Sequence, residues 1–321
     1  MHLDELLSSI EVIGIPTRTN FRGVALREIV LIHKDGRWGE FAPFSDYSIE
    51  RDALWLSCAI ESIEQPFPTA IRDAVAVNAT LPEVPINQVA EVLSWFPGCK
   101  TVKVKVGTAD DEERITEIFQ NIPDAKLRLD ANGLFSIQEA ESFLLGLYNK
   151  YGHQLEYVEQ PCASLAENGA LKLPIPIAID ENLRLGDDIA EINKVADVAI
   201  IKVAPLGGIK RALAVIESLD VPVVISSALE SSVGMAASVA LAAHLPEEII
   251  CGLGTVALLD GDIASNSLTP RAGKVPVQPV VVNESSLTRY RLSSERVSWW
   301  HNRIKVAYGK YLQNMERGAA R

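Results

Sequence analysis

Residues 101–130 read TVKVKVGTADDEERITEIFQNIPDAKLRLD, and this stretch decides the fold. Its start alternates strictly, with Val102, Val104 and Val106 on one face of a strand and Lys103 and Lys105 on the other. The segment DDEERITEIFQNI then carries a helical pattern, and KLRLD returns to alternation with Arg128 and Asp130 opposite Leu127 and Leu129. One strand, one helix and a second strand of the same polarity make a βα unit.

The same rhythm continues on both sides of this unit. Apolar strand candidates occur at AVAVNAT, EYVEQP, PIAIDENL, VAIIKVAP, VPVVISSALE and EEIICGLGT. Helical patterns such as SIQEAESFLLGLYNKY, GGIKRALAVIESL and VGMAASVALAAHL lie between them. The charged landmarks advance by 25 residues from Lys105 to Asp130, 29 to Glu159, 21 to Asp180 and 22 to Lys202. Units of this length with short connections predict a parallel α/β barrel. A doubly wound open sheet is the alternative, but AVAVNATLPE lacks the glycine fingerprint such a sheet favours after its first strand.

Residues 1–74 read differently. FRGVALREIVLIHKDGRWGEFAPF forms two strands joined at Lys34-Asp35-Gly36, and SIERDALWLSCAIES follows as a helix before Pro66 and Pro68 break the chain. The expected organisation is an α+β unit over 1–74, the barrel over 75–260, and a tail over 261–321 that ends in a helix and packs back on the first unit.

Bulk properties narrow the function. Of 321 residues, 48% are hydrophobic and 22% charged, with net charge −12, mean hydropathy +0.13 and pI near 5.0. The acidic balance argues against a nucleic-acid partner and against an anionic membrane surface. The N-terminus MHLDELLSS has no signal-peptide pattern, and no apolar run reaches membrane-spanning length. Cys58, Cys99, Cys162 and Cys251 form no CxxC pair, as expected of reduced thiols in a cytoplasmic protein. No heptad or apolar stripe announces an assembly, which leaves a monomer or a small homo-oligomer.

The strand charges carry the chemistry. A charge inside a Val/Ile/Leu/Ala run is costly unless paired or metal-bound, yet Lys103, Lys105, Asp130, Glu159, Asp180 and Lys202 all sit in such runs, each just before a loop signal. In a barrel, C-terminal strand ends converge on one mouth. Three carboxylates there suit a hard cation, Mg²⁺ foremost and Mn²⁺ as alternative, because the ligands are oxygens. A lysine beside a cation or a second lysine loses part of its preference for the ammonium form and acts as a base. The chemistry that needs both parts is proton abstraction alpha to the carboxylate of a small-molecule substrate, through an enediolate. Parity leaves open whether Asp180 or its neighbour Glu181 is the ligand.

Weaker candidates have structural alternatives beside them. Arg128 shares the inward face of Asp130 and would orient Lys105 or the substrate. Ser226 and Ser227, with Glu230, Ser231 and Ser232, either bind a substrate carboxylate or cap the next helix. Gly207-Gly208 and Gly252-Leu253-Gly254 either cradle phosphate or make tight turns. Trp38-Gly39-Glu40-Phe41 either closes over the mouth or fills a core. The five histidines lie away from the strand ends, which disfavours a histidine base or a zinc site.

These motifs resemble the enolase superfamily, muconate lactonizing enzyme subgroup, over nearly the whole chain. The resemblance rests on TVKVKVG, RLDANG, YVEQP, AIDENL and AIIKVAP, with FRGVALREIVLI, GRWGEFAPFSDYS, VNATLPEV, SSALESSVG and CGLGTVALLDGD around them. It implies a (β/α)7β barrel with an N-terminal α+β capping domain. It also implies Asp130, Glu159 and Asp180 as metal ligands, which favours Asp180 over Glu181. Lys105 becomes the base, Lys202 the charge on the opposite face, and Lys103 an electrostatic aid. The implied reaction is a lyase dehydration; N-acylamino acid racemisation, dipeptide epimerisation and cycloisomerisation are sister reactions on the same residues. Phe135 in DANGLFS stands where many subgroup members have Trp.

Overall fold

In the computed structural model, which describes residues 1–319, the stretch 101–130 forms two neighbouring parallel strands. They are β6 (Thr101–Lys105) and β7 (Lys126–Asp130), joined by the helix Asp111–Asn121. Lys105 pairs with Asp130 in their register, so two of the predicted site residues are side by side at the strand ends. Before them come β1 (Ile10–Phe21), β2 (Val24–Lys34), β3 (Arg37–Phe41), β4 (Ala74–Ala76) and β5 (Ala79–Leu81). After them come β8 (Leu155–Glu159), β9 (Ile177–Ile179), β10 (Val198–Lys202), β11 (Val223–Ser226) and β12 (Lys274–Pro276). Strands β5 to β11 form one parallel sheet in sequential order.

The eighth barrel position differs from expectation. EEIICGLGT forms no ladder strand; Cys251 bridges Val77 on one side and Gly252 bridges Ser226 on the other, which closes the barrel. The chain passes too tightly here for side chains: a Cβ on Gly252 would lie 2.5 Å from Ser226 Oγ, and one on Gly254 would lie 2.9 Å from the Asn78 carbonyl. No full helix follows this position, only the short 3₁₀ turn Thr255–Leu258. AVAVNAT also splits, with β5 in the barrel and β4 paired antiparallel with β12 of the tail.

The N-terminal unit is a three-stranded antiparallel sheet, β1-β2-β3, one strand more than the hairpin read from sequence. Asp35 and Gly36 both have positive φ (50° and 76°), as a tight two-residue hairpin requires. The helix Ile49–Glu64 covers this sheet and buries Trp55, Leu56, Ala59 and Ile60. The C-terminal helix Ser294–Ala319 packs back against it. Arg303 makes two hydrogen bonds to Asp52, of 2.6 and 2.7 Å, and Trp300 sets its ring edge-on to Phe41. The capping unit and barrel thus share one continuous hydrophobic core.

Candidate active site

Each functional side chain is delivered by the end of a strand. Lys105, Asp130, Glu159 and Lys202 are the last residues of β6, β7, β8 and β10, and Asp180 follows β9 directly. Pleating aims these side chains into the barrel, because the residues beside them, such as Val104, Leu129, Val158 and Ile201, are buried against the helices. All three carboxylates are at most 1% exposed.

The lysines interleave with the carboxylates. Lys103 Nζ lies 2.6 Å from Glu159 Oε1 and 2.8 Å from Asp130 Oδ2. Lys105 Nζ donates to Asp130 Oδ2 at 2.7 Å and to Asn132 Oδ1. Lys202 Nζ donates to Asp180 Oδ2 at 2.5 Å. Arg184, one helical turn beyond Asp180, reaches Asp180 Oδ1 at 3.3 Å and Glu181 Oε1 at 2.6 Å. Glu181, the neighbour that parity could not exclude, is thus engaged with Arg184 and Asn132 rather than with a lysine.

Electrostatics separates the three lysines. Burial opposes the charged form of each, yet Asp130 and Glu159 hold the Lys103 ammonium well above its usual range, and Asp180 raises Lys202. For Lys105, burial and the neighbouring Lys103 charge outweigh Asp130, so its pKa is lowered. Burial and the Asp130 charge raise Glu159 to about 7. Burial works against ionised Asp130 and Asp180 as well, but Lys103 and Lys105 keep the first low and Lys202 and Arg184 the second.

The donor set fits a divalent cation. Three buried carboxylates stand on successive strand ends, and among the described residues Asp180 Oδ1 accepts no hydrogen bond, with Arg184 Nε 3.3 Å away. Among the described residues, no group of three His, Cys, Asp or Glu side chains stands ready-arranged around one point; the lysines occupy the space between the carboxylates.

The cavity over this constellation is lined on the barrel side by Lys103, Lys105, Asp130, Lys202, Ser226 and Ser227. The capping unit contributes Phe21, Arg22, Phe44 and Tyr47. Sequence reading missed these four, because nothing local marks a capping residue as facing a barrel mouth. It missed Arg184 as well, although a spacing of four from Asp180 on a short helix was available as a signal. Ser227 Oγ bonds the Gly252 carbonyl at 2.9 Å and Thr255 Oγ1 at 2.7 Å, and so ties the last two barrel positions together.

Other expectations are corrected here. Arg128 does point into the barrel, but it does not line the cavity. Its guanidinium is tied to Asn78 Oδ1 at 3.1 Å, the Ile250 carbonyl at 2.8 Å and both oxygens of Glu156, at the opposite end of the strands. It therefore touches neither Lys105 nor the substrate space. Trp38, Glu40 and Phe41 do not close the mouth either: Phe41 packs in the core, and Glu40 accepts hydrogen bonds from Ser231 and Gly234 at the start of the helix Ser232–His244. The turn at Gly207-Gly208 holds the Glu61 carboxylate, which accepts from the Ile209 and Lys210 amides where a phosphate would otherwise sit.

The chain belongs to the enolase superfamily, since residues 12–63 match the enolase N-terminal domain-like family and residues 87–280 the enolase C-terminal domain-like family. Enzymes of this superfamily depend on a divalent metal. Solved structures with the same fold include a muconate lactonizing enzyme of Pseudomonas fluorescens complexed with muconolactone. Its TM-score is 0.73 at 20% identity, over 88% of this chain and 98% of that one. The L-Ala-D/L-Glu epimerase of Bacillus subtilis is similar at TM-score 0.70 and 22% identity, over 85% and 96%. Within the superfamily the chain belongs with the o-succinylbenzoate synthases. It is 42% identical to the one from Mycobacterium leprae, over 95% of this chain and 93% of the relative. It is 40% identical to the one from Mycolicibacterium smegmatis, over 94% and 96%.

Proposed function

We propose that the chain is an o-succinylbenzoate synthase, a carbon–oxygen lyase of menaquinone biosynthesis. It dehydrates 2-succinyl-6-hydroxy-2,4-cyclohexadiene-1-carboxylate to o-succinylbenzoate. The observation that carries the mechanism is the interleaved array of Lys103, Lys105 and Lys202 with Asp130, Glu159 and Asp180 at one barrel mouth.

A divalent metal, Mg²⁺ by preference and Mn²⁺ as alternative, would be held by Asp130, Glu159 and Asp180 and supplies Lewis-acid charge for the substrate carboxylate. Lys105, with its lowered pKa, takes the proton alpha to that carboxylate as a free amine. The C–H electron pair moves into the enediolate. Lys202, kept charged by Asp180, faces that developing negative charge from the other side of the cavity. The carbon–oxygen bond to the ring hydroxyl then breaks, and Lys105 returns its proton to the departing oxygen on the same face, which gives water and an aromatic ring. Lys103 holds Asp130 and Glu159 in place and depresses the Lys105 pKa. Four free, buried cysteines suit the reducing cytoplasm in which we place the enzyme. Among the described residues no helix is long and apolar enough to cross a membrane.

The test is ultraviolet turnover of the cyclohexadiene by purified protein, with Mg²⁺ and again after chelation. Rapid loss of diene absorbance that stops on chelation and returns with metal is expected. Protein that binds metal yet leaves the diene intact would overturn the assignment. Lysines on both sides of the cavity also fit racemisation of an N-acylamino acid or epimerisation of a dipeptide. Exchange of the substrate alpha proton with deuterated solvent, retained from only one face in Lys202→Ala, would favour that second reading.

A further inference from the structure

Arg27 on β2 is 2% exposed and lies in the capping unit, yet two of its three hydrogen-bond partners belong to the barrel. Nε donates to the Leu229 carbonyl at 2.9 Å, and Nη2 donates to the Ala228 carbonyl at 3.3 Å and to the Ala42 carbonyl. Its guanidinium also stacks over the Phe44 ring, 4.4 Å from the centroid. These direct partners are carbonyls and a ring, while the buried Glu40 and Glu230 carboxylates favour its charge without a hydrogen bond to it. A buried cation held this way is costly, and its forked donors must be matched closely to their acceptors.

The partners converge on the cavity. Ala228 lines it from the barrel, in the loop between β11 and the next helix, and Phe44 lines it from the capping unit. The loop needs support, because Leu229 adopts φ of +64°, a left-handed conformation that is unfavourable for a non-glycine residue. Glu40 fixes the far end of the same loop by accepting from the Ser231 amide at 3.2 Å, the Ser231 hydroxyl at 2.5 Å and the Gly234 amide at 3.0 Å. Two residues of one antiparallel sheet therefore hold both ends of a barrel loop some 200 positions away in sequence.

We infer that Arg27 is a positioning residue, which sets the wall of the substrate cavity formed by Ser226–Ala228 and Phe44. It touches no reacting atom. Its effect on catalysis therefore falls on substrate binding, a statement that rests on the function proposed above.

The experiment compares Arg27→Met, which keeps the stem and removes the donors, with Arg27→Lys, which keeps the charge and part of the donor set. KM and kcat are measured with the cyclohexadiene, and amide hydrogen exchange is followed over residues 226–231. Expected for Arg27→Met is a KM raised on the order of tenfold or more, with kcat nearly unchanged and exchange faster in that loop. Arg27→Lys should recover part of both effects. An unchanged KM alongside a uniform loss of stability would make Arg27 a domain-docking group and overturn the inference. Unchanged exchange over 226–231 would overturn it too. Should the wild-type protein fail to consume the diene, the proposed function falls, while the exchange measurement still decides whether Arg27 holds the loop.

Discussion

Lys105 and Arg128 are both cations on the inward face of adjacent barrel strands, and they have opposite roles. Lys105 closes β6 at the mouth, where its partners are the side chains of Asp130 and Asn132 and its pKa is lowered. Arg128 sits two residues before the end of β7, 1% exposed, with its donors satisfied by Asn78, Ile250 and Glu156. Burial also opposes its charge, but Tyr157 and Glu156 raise its pKa. A rise of about 3.3 Å per residue separates the two depths by one layer of side chains. Depth alone does not separate them, because Lys103 is the register partner of Arg128 and still lines the cavity; what differs is that the Arg128 guanidinium is held by Asn78, Ile250 and Glu156.

Substitutions at the two levels should separate cleanly. The largest effect is expected for Lys105→Ala, which removes the base and should lower kcat by at least ~10³-fold with the fold and melting temperature preserved. Residual turnover close to wild type would remove Lys105 from the reaction. At the other level, Arg128→Met strands the buried Asn78 oxygen and the Ile250 carbonyl without a donor. The expected cost is about 2–5 kcal/mol of stability, read as a lower denaturation midpoint, with kcat/KM per folded molecule changed less than threefold. A collapse of activity at unchanged stability would place Arg128 in the site and end the distinction.

The smallest effect sharpens the Lys105 side of the contrast. The amine form is the base, so kcat/KM should rise with pH through the Lys105 pKa and level off above it. Lys103→Met removes a positive charge that lowers that pKa. The ascending limb should therefore move to higher pH, beside any loss in maximal rate. A limb that stays in place would mean that another group sets the ascent.

Much of the barrel was legible because its signals are local. Alternation at 102–106 and 127–130 fixed which face each charge takes, and the loop residues after Lys105, Asp130, Glu159 and Lys202 marked the strand ends. The closing segment was less legible, since CGLG must slip between Val77 and Ser226 and leaves only isolated bridges. Arg128 is less legible because parity gives the face of a strand and not the direction in which a long side chain runs: its register partner Lys103 reaches the cavity, whereas Arg128 turns to Asn78, Ile250 and Glu156. The serine cluster divides: Ser226 and Ser227 line the cavity, whereas Ser231 caps the helix Ser232–His244.

The βα rhythm, the inward face of each strand and the identity of the six charges are written in the sequence. All of these follow from periodicities of two and about 3.6 residues within one element. It took the packing of distant elements to bring Phe44, Tyr47 and Arg22 to the cavity, Glu61 into the Gly207-Gly208 turn and Arg27 against the loop at Leu229. The Glu61 and Arg27 contacts join residues 148 and 202 positions apart. Packing of one unit against another sets them, and no local periodicity encodes which distant carbonyl a buried guanidinium will meet.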